Sequence, residues 1–154
     1  MKKILLLLSF CVLFSEVKAS HLMGGEITWE CISSGANSGS FVFTLKVYRD
    51  CQGIALGTPY LTVHNNSSLS TISLNYVTAT DISPTCDTVN GVNTQFTCGG
   101  TNIGQTGNGN GAVEEHVFIS DTIRIFGTPD VNGWHFTYSD CCRNGAITNI
   151  VNPS

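Results

Sequence analysis

Six cysteines are the side chains of this sequence best able to do chemistry. They are Cys31, Cys51, Cys86, Cys98, Cys141 and Cys142. The seventh cysteine, Cys11, lies in an N-terminal segment that resembles an export signal and is expected to be removed with it. The even number that remains predicts disulfides, because thiolates do not stay reduced in an oxidising compartment. We therefore expect three disulfides and no nucleophilic cysteine.

The spacing of the cysteines favours one local pair. Cys86 and Cys98 bracket a polar, turn-rich stretch, and closing that loop would contribute about 3 kcal/mol by the loop-entropy model. On a strand, the adjacent Cys141 and Cys142 would point to opposite faces, so each is expected to form a disulfide with a different distant partner. Cys31 and Cys51 are the partners that remain.

Other reactive combinations are weaker. Glu114 and Glu115 are adjacent, so on a strand their carboxylates diverge, and we interpret them as solvated side chains instead of a glycosidase pair. His116 or His135 beside the vicinal cysteines could form a base and a nucleophile, but the disulfide interpretation is favoured. No catalytic residue is predicted.

Metal ligands are sparse. Asp121, Asp130 and Asp140 lie near predicted turns, so structural calcium is an alternative, although ordinary turn aspartates explain them and no cofactor is expected. A mature N-terminal His21 would suggest a copper oxygenase, but cleavage before it would leave Lys18 where a small residue is preferred.

Five aromatic residues are candidates for a sugar-binding platform, because aromatic faces stack on the apolar faces of sugars. They are Trp29, Trp134, Tyr48, Tyr60 and Tyr138. Aromatic residues on alternating strands more commonly belong to the core, so the core is the first interpretation and the platform the alternative.

The first 19 residues resemble a secretory signal peptide. A basic start, an apolar run over 4–14 and a small residue at Ala19 form its three parts, and the apolar run is too short to span a bilayer comfortably. Removing them leaves residues 20–154 as a single β-rich domain with four basic and ten acidic side chains, a net charge of about −6. This acidic balance excludes a nucleic-acid binder.

Strand-like patterns account for most of the remaining chain. Alternating or β-rich runs cover 26–32, 41–48, 60–64, 69–78, 113–119, 122–126, 134–138 and 146–151. The first two are separated by turn residues and predict a hairpin. Short strands at this spacing predict an antiparallel, Ig-like β-sandwich reinforced by disulfides, with a small closed β-barrel as the alternative.

Four segments carry a resemblance to a known group of proteins. They are 21–31 (HLMGGEITWEC), 43–51 (FTLKVYRDC), 110–116 (NGAVEEH) and 136–144 (FTYSDCCRN). The sequence resembles the N-terminal region of large exported Bacteroidota surface proteins, which often continue through Ig-like or PKD-like modules to a gliding-motility-associated C-terminal sorting domain.

The resemblance implies a non-enzymatic, secreted or cell-surface, adhesin-like domain that acts in adhesion or in gliding-associated surface organisation. It also implies that residues 20–154 are the N-terminal portion of a longer surface protein with an extracellular protein or glycan partner. Thr88 and Thr122 match the short pattern at which such bacteria attach O-glycans. A carbohydrate-binding module is the alternative function, and a secreted hydrolase or copper oxygenase ranks third.

Export can be tested through the mature N-terminus. We expect cleavage after Ala19, because the small side chain there fits signal peptidase, so the exported protein should begin at Ser20. Intact-mass measurement of protein recovered outside the cytoplasm decides this. A mass that still includes residues 1–19 would indicate a retained membrane anchor instead.

Overall fold

The computed structural model describes residues 22–51, 53, 55–83, 88–89, 92–93, 98 and 112–140. Every regular element in this part of the chain is a β-strand. The eight strands are β1 (Leu22–Cys31), β2 (Phe41–Asp50), β3 (Tyr60–His64), β4 (Thr71–Asp81), β5 (Thr88–Val89), β6 (Val92–Asn93), β7 (Val113–Ser120) and β8 (His135–Thr137). The signal segment and the strand expected over 146–151 lie outside the described residues.

Strand β2 shows why the sequence forms a sheet. Phe43, Leu45 and Val47 are buried, whereas Thr44 and Lys46 between them are half-buried on the other face. Successive side chains of a strand point to opposite faces, so this alternation turns one face of β2 to the core.

The first two strands form the predicted hairpin. β1 and β2 pair antiparallel, with Trp29 opposite Phe43. The turn between them is closed by hydrogen bonds of 2.8 Å from the amide of Ile32 to the carbonyl of Ser40 and from the amide of Gly39 to the carbonyl of Ile32.

Six strands form one antiparallel sheet in the order β1-β2-β7-β4-β3-β8. Strand β4 belongs to both halves of it, because Thr71–Ser73 pair with β3 while the residues from Leu74 onward pair with β7. The halves fold towards each other until Phe43 of β2 lies 4.6 Å from Phe136 of β8, measured between ring centroids.

The predicted all-β, antiparallel, disulfide-containing class is confirmed. The facing halves pack as the layers of a sandwich do, and the shared strand β4 brings the sheet close to closure as a barrel. Nine buried side chains fill the space between the halves: Leu22, Phe43, Leu45, Val47, Leu61, Val63, Ile72, Leu74 and Phe118.

A β-bulge in β4 changes which of its side chains face inward. Tyr76 pairs with Phe118 and Thr78 with Val117, so Val77 is the extra residue. The bulge shifts the alternation by one position, and Asp81 thereby lies opposite Glu114.

The strand expected over 122–126 is wrong. Only Ile123 forms an isolated bridge, to Phe41, through reciprocal backbone hydrogen bonds of 2.7 and 2.8 Å. Strand β7 ends at Ser120, whose hydroxyl accepts a 2.9 Å hydrogen bond from the amide of Phe43 and donates to the carbonyl of Asp121. The Ser120 hydroxyl takes the place of a backbone carbonyl as the acceptor for Phe43, so the regular hydrogen bonding of β7 does not continue past Ser120.

Two phenylalanines allow a matched test of the core. Phe43→Ala should lower the free energy of unfolding by about 3–5 kcal/mol, because it empties a buried site. Phe126→Ala should cost only about 0.5–1 kcal/mol, the value of its exposed contact with the Arg124 guanidinium. Urea denaturation of both variants measures the two losses, and equal losses would contradict the described core.

Candidate functional site

Three ionisable side chains meet inside the domain. Arg49 of β2 lies directly opposite Glu114 of β7, and His116 follows two residues later on the same face of β7. Arg49 and His116 are 0% exposed and Glu114 is 4% exposed. We call these three residues the buried charge cluster.

The Glu114 carboxylate is the centre of this cluster. Arg49 donates to its Oε1 from Nε, over 2.7 Å, and from Nη2, and a third guanidinium hydrogen bond of 2.6 Å runs from Nη1 to the carbonyl of Gly53. The Nε2 atom of His116 lies 2.8 Å from the same oxygen. One carboxylate therefore neutralises a guanidinium that has no contact with water.

The surroundings of Glu114 favour its charged form. Burial alone would raise its pKa, but the close approach of His116, the hydrogen bonds from Arg49 and the positive charge of Arg49 outweigh burial, so the pKa lies below the ordinary value of 4.5. The carboxylate is thus held ionised by its partners.

A disulfide joins Cys51 to Cys98 beside the cluster, and the two residues are 47 positions apart in the sequence. The expected pairing of Cys86 with Cys98 is therefore wrong, and so is the expected pairing of Cys51 with one of the adjacent cysteines Cys141 and Cys142. Strand pairing places Cys51 near the beginning of β7, because β2 ends and β7 begins at the same end of the sheet. The amide of Cys51 donates a 3.1 Å hydrogen bond to the carbonyl of Ala112. In the chain-entropy model, a bridge of this span contributes about 4 kcal/mol.

Asp81 holds the other half of the disulfide in place. Its carboxylate accepts hydrogen bonds from the amides of Cys98, at 2.8 Å, and Ser83, at 2.9 Å, and from the Ser83 hydroxyl. Burial opposes ionisation of Asp81, but these hydrogen bonds outweigh it and lower its pKa. The bulge in β4 is what brings Asp81 to this position.

Three potential metal-ligand atoms lie close together here. The sulfurs of Cys51 and Cys98 and a carboxylate oxygen of Glu114 all lie within 4.8 Å of one another. The two sulfurs are bonded to each other, and the Glu114 carboxylate already binds the Arg49 guanidinium. These three atoms therefore do not fit a metal cation.

The aspartates considered for calcium serve local hydrogen bonds. Asp121 accepts from the side chain of Asn75, Asp130 from the amide of Asn132, and Asp140 from the hydroxyl of Tyr138. Within the described ranges, the three do not form a ligand group.

An open cleft lies on the outside of the domain, at the β3–β8 edge. It has a volume of about 160 Å³ and is lined by Gly57, Thr58, Pro59, Tyr60, Tyr138, Ser139 and Asp140. We call it the tyrosine cleft. Gly57–Pro59 also line a neighbouring cleft of about 300 Å³, together with Leu56, Leu74, Asn75, Tyr76 and Phe118.

The five aromatic residues considered for a platform do not act as a unit. Trp29 is 60% exposed and Tyr60 is 56% exposed, so the core interpretation is wrong for these two. Tyr48, Trp134 and Tyr138 are half-buried. Tyr60 and Tyr138 line the same cleft among those of the described residues.

The remaining candidate residues are dispersed. Thr122 is exposed, whereas the side chain of Thr88 lies outside the described residues. The thiol of Cys31 is exposed and forms no disulfide with the other described cysteines. Cys86, Cys141 and Cys142 lie outside the described residues, so their oxidation stays a prediction.

The sequence interpretation missed the buried charge cluster. It placed Glu114 on a solvated face, although the expected divergence of Glu114 and Glu115 is confirmed, since Glu115 lies on the outer face and pairs with Lys46 over 3.5 Å. The alternation of inward and outward positions along β2 and β7 would have predicted that these three side chains are buried. Arg49 is in phase with Phe43, Leu45 and Val47, and both Glu114 and His116 are in phase with Phe118.

Comparisons with protein-family models, with curated proteins and with solved structures gave no match to this chain. The described part of the chain contains no helix long and apolar enough to cross a membrane.

Glu114 and its neighbour Glu115 form a matched pair for testing the cluster. Glu114→Gln removes the carboxylate charge that binds the buried Arg49 guanidinium and should lower the free energy of unfolding by about 3–5 kcal/mol. Glu115→Gln removes a surface ion pair and should cost less than about 1 kcal/mol. Urea denaturation at neutral pH measures both, and similar losses would contradict the cluster.

The same variants report a pH dependence. The folded-state pKa of Glu114 is lowered, so its contribution to stability is complete above the ordinary value of 4.5 and is lost as the pH falls through the folded-state pKa. The difference between the wild type and Glu114→Gln should therefore stay constant at neutral and weakly acidic pH and shrink below about pH 4.5. A difference that grows on acidification would contradict the assignment.

Proposed function

We propose that this protein is an exported, non-enzymatic, adhesin-like domain of a cell-surface protein, acting in adhesion or gliding-associated surface organisation. One observation carries the proposal: Glu114 and His116, which adjoin each other and could do acid–base chemistry, are turned inward, whereas three large aromatic side chains are turned outward. Glu114 and His116 lie in the buried charge cluster, and Trp29, Tyr60 and Phe126 are 60%, 56% and 64% exposed.

The interior supports a domain built for durability outside the cell. The Cys51–Cys98 bridge and the charge cluster lie together at one end of the sheet, where β2 ends and β7 begins. A bridge across 47 positions limits unfolding, which is of use where no chaperone can refold a damaged protein. The signal-like segment 1–19 and the resemblance to exported surface proteins support the same location.

A carbohydrate-binding module is the second candidate function. It is favoured by the tyrosine cleft, whose described lining includes the exposed Tyr60, the hydroxyl-bearing Thr58 and Ser139, and Asp140. Binding sites combine apolar rings with a few polar groups in this way. Both candidates are binding functions without turnover.

Adhesion can be measured with beads coated with the exported protein in a flow chamber. Beads should be retained on at least one of glass, cellulose and chitin, and the triple variant Trp29→Ala/Tyr60→Ala/Phe126→Ala should reduce retention by about tenfold, since each exposed ring supplies contact area. Albumin-coated beads set the baseline, and an unchanged urea midpoint confirms that the variant is folded.

Two results would overturn the proposal. Retention of the wild-type beads at the albumin baseline on every surface would contradict adhesion. Release of soluble sugars from cellulose or chitin by the purified protein would contradict a non-enzymatic role.

A further inference from the structure

The sheet brings the two tyrosines of the tyrosine cleft together. Strands β3 and β8 pair antiparallel with Thr62 opposite Thr137, so the beginning of β3 lies beside the residues that follow β8. Tyr60 and Tyr138 therefore lie at the same end of neighbouring strands and both line the cleft, although 78 positions separate them in the sequence. Sheet pairing, with its fixed register, holds this geometry.

The two rings have different roles in the cleft. Tyr60 is exposed over more than half of its surface, so one face of its ring is available to a ligand. Tyr138 packs against the hydrophobic core, and its hydroxyl donates a 2.9 Å hydrogen bond to Asp140. Tyr138 is thereby held on the core side of the sheet, and the exposed ring of Tyr60 is the platform.

The polar groups of the lining suit a ligand that carries hydroxyl groups. Thr58 and Ser139 each offer a hydroxyl that can donate and accept, and Asp140 contributes a carboxylate that accepts. Aromatic rings stack on the apolar faces of sugars, while hydroxyls and carboxylates bind the equatorial groups. This combination is typical of a site for a saccharide.

Charge and size narrow the ligand class. Among the described residues, the lining contains one carboxylate and no basic side chain, which disfavours anionic saccharides. A volume of about 160 Å³ is below the usual range of about 300–1,000 Å³ for small-molecule pockets, so the cleft suits one ring of a longer chain. The neighbouring cleft of about 300 Å³ beyond Gly57–Pro59 offers space for the rest of such a chain.

We infer that the tyrosine cleft binds one ring of a neutral polysaccharide, with Tyr60 as the stacking platform. The inference rests on the proposed binding function and names the ligand class of one site on the domain. Tyr60 contributes the apolar contact, and the side chains of Thr58, Ser139 and Asp140 contribute the hydrogen bonds. The cleft binds its ligand without covalent change.

Affinity electrophoresis of the exported protein tests the inference directly. Native gels are cast with neutral polysaccharides (laminarin, xylan or galactomannan), with anionic alginate, with gelatin as a proline-rich protein, or with no additive. At least one neutral polysaccharide should retard the wild-type protein, and Tyr60→Ala should weaken binding by about tenfold, which corresponds to one aromatic contact.

Two control variants separate the cleft from other aromatic surface. Tyr60→Phe keeps the ring and should retain binding, whereas Trp29→Ala removes an equally exposed ring from β1, outside both clefts, and should leave binding unchanged. The urea midpoint of each variant confirms that it is folded.

The outcomes distinguish this inference from the proposed function. Three results would overturn the cleft assignment. The first is retardation by alginate alone, and the second is retardation by gelatin that Tyr60→Ala removes. The third is retardation that Trp29→Ala abolishes and Tyr60→Ala does not. Absence of retardation in every gel, with beads still retained under flow, would overturn the cleft and leave the adhesive function standing. If the wild-type protein is not retarded in any gel and its beads are also not retained under flow, both the cleft assignment and the adhesive function are overturned.

Discussion

A guanidinium removed entirely from water must be neutralised where it lies, and Arg49 meets this requirement through Glu114. The two residues are direct partners across β2 and β7, so their pairing fixes the register of the central strands. A slip by one residue would turn Arg49 outward and carry Phe43, Leu45 and Val47 away from the core with it. The ion pair and the hydrophobic core therefore specify the same alignment.

The rest of this end of the domain follows from that register. The bulge at Val77 shifts β4 so that Asp81, and not Thr80, lies opposite Glu114, and Asp81 then binds the amide of Cys98. Cys51 reaches the same place because it directly follows β2. The Cys51–Cys98 disulfide, the Arg49–Glu114 ion pair and the hydrogen bonds of Asp81 thus lie together where β2 and β4 end and β7 begins. Each of these interactions restricts the positions of the residues in the other two.

Because the sheet is pleated, side chains with different chemical roles lie on its inner and outer faces. Inward positions carry the core and the buried charge cluster, where side chains are committed to one another and serve stability. Outward positions and the sheet edge carry exposed rings such as Trp29 and Tyr60, which are available to a partner. An adhesive domain needs this division, because a binding surface outside the cell is useful only on a scaffold that stays folded there.

The sequence by itself determined the all-β class, the hairpin of β1 and β2 and the positions of β3 and β7, because alternation of apolar and polar residues is a local signal that the pleat imposes. Only the tertiary structure decided that Cys51 pairs with Cys98 and that Arg49 meets Glu114, since these contacts depend on which strands become neighbours. The same holds for the tyrosine cleft. Strand pairing joins residues far apart in the chain, and no local pattern records that choice.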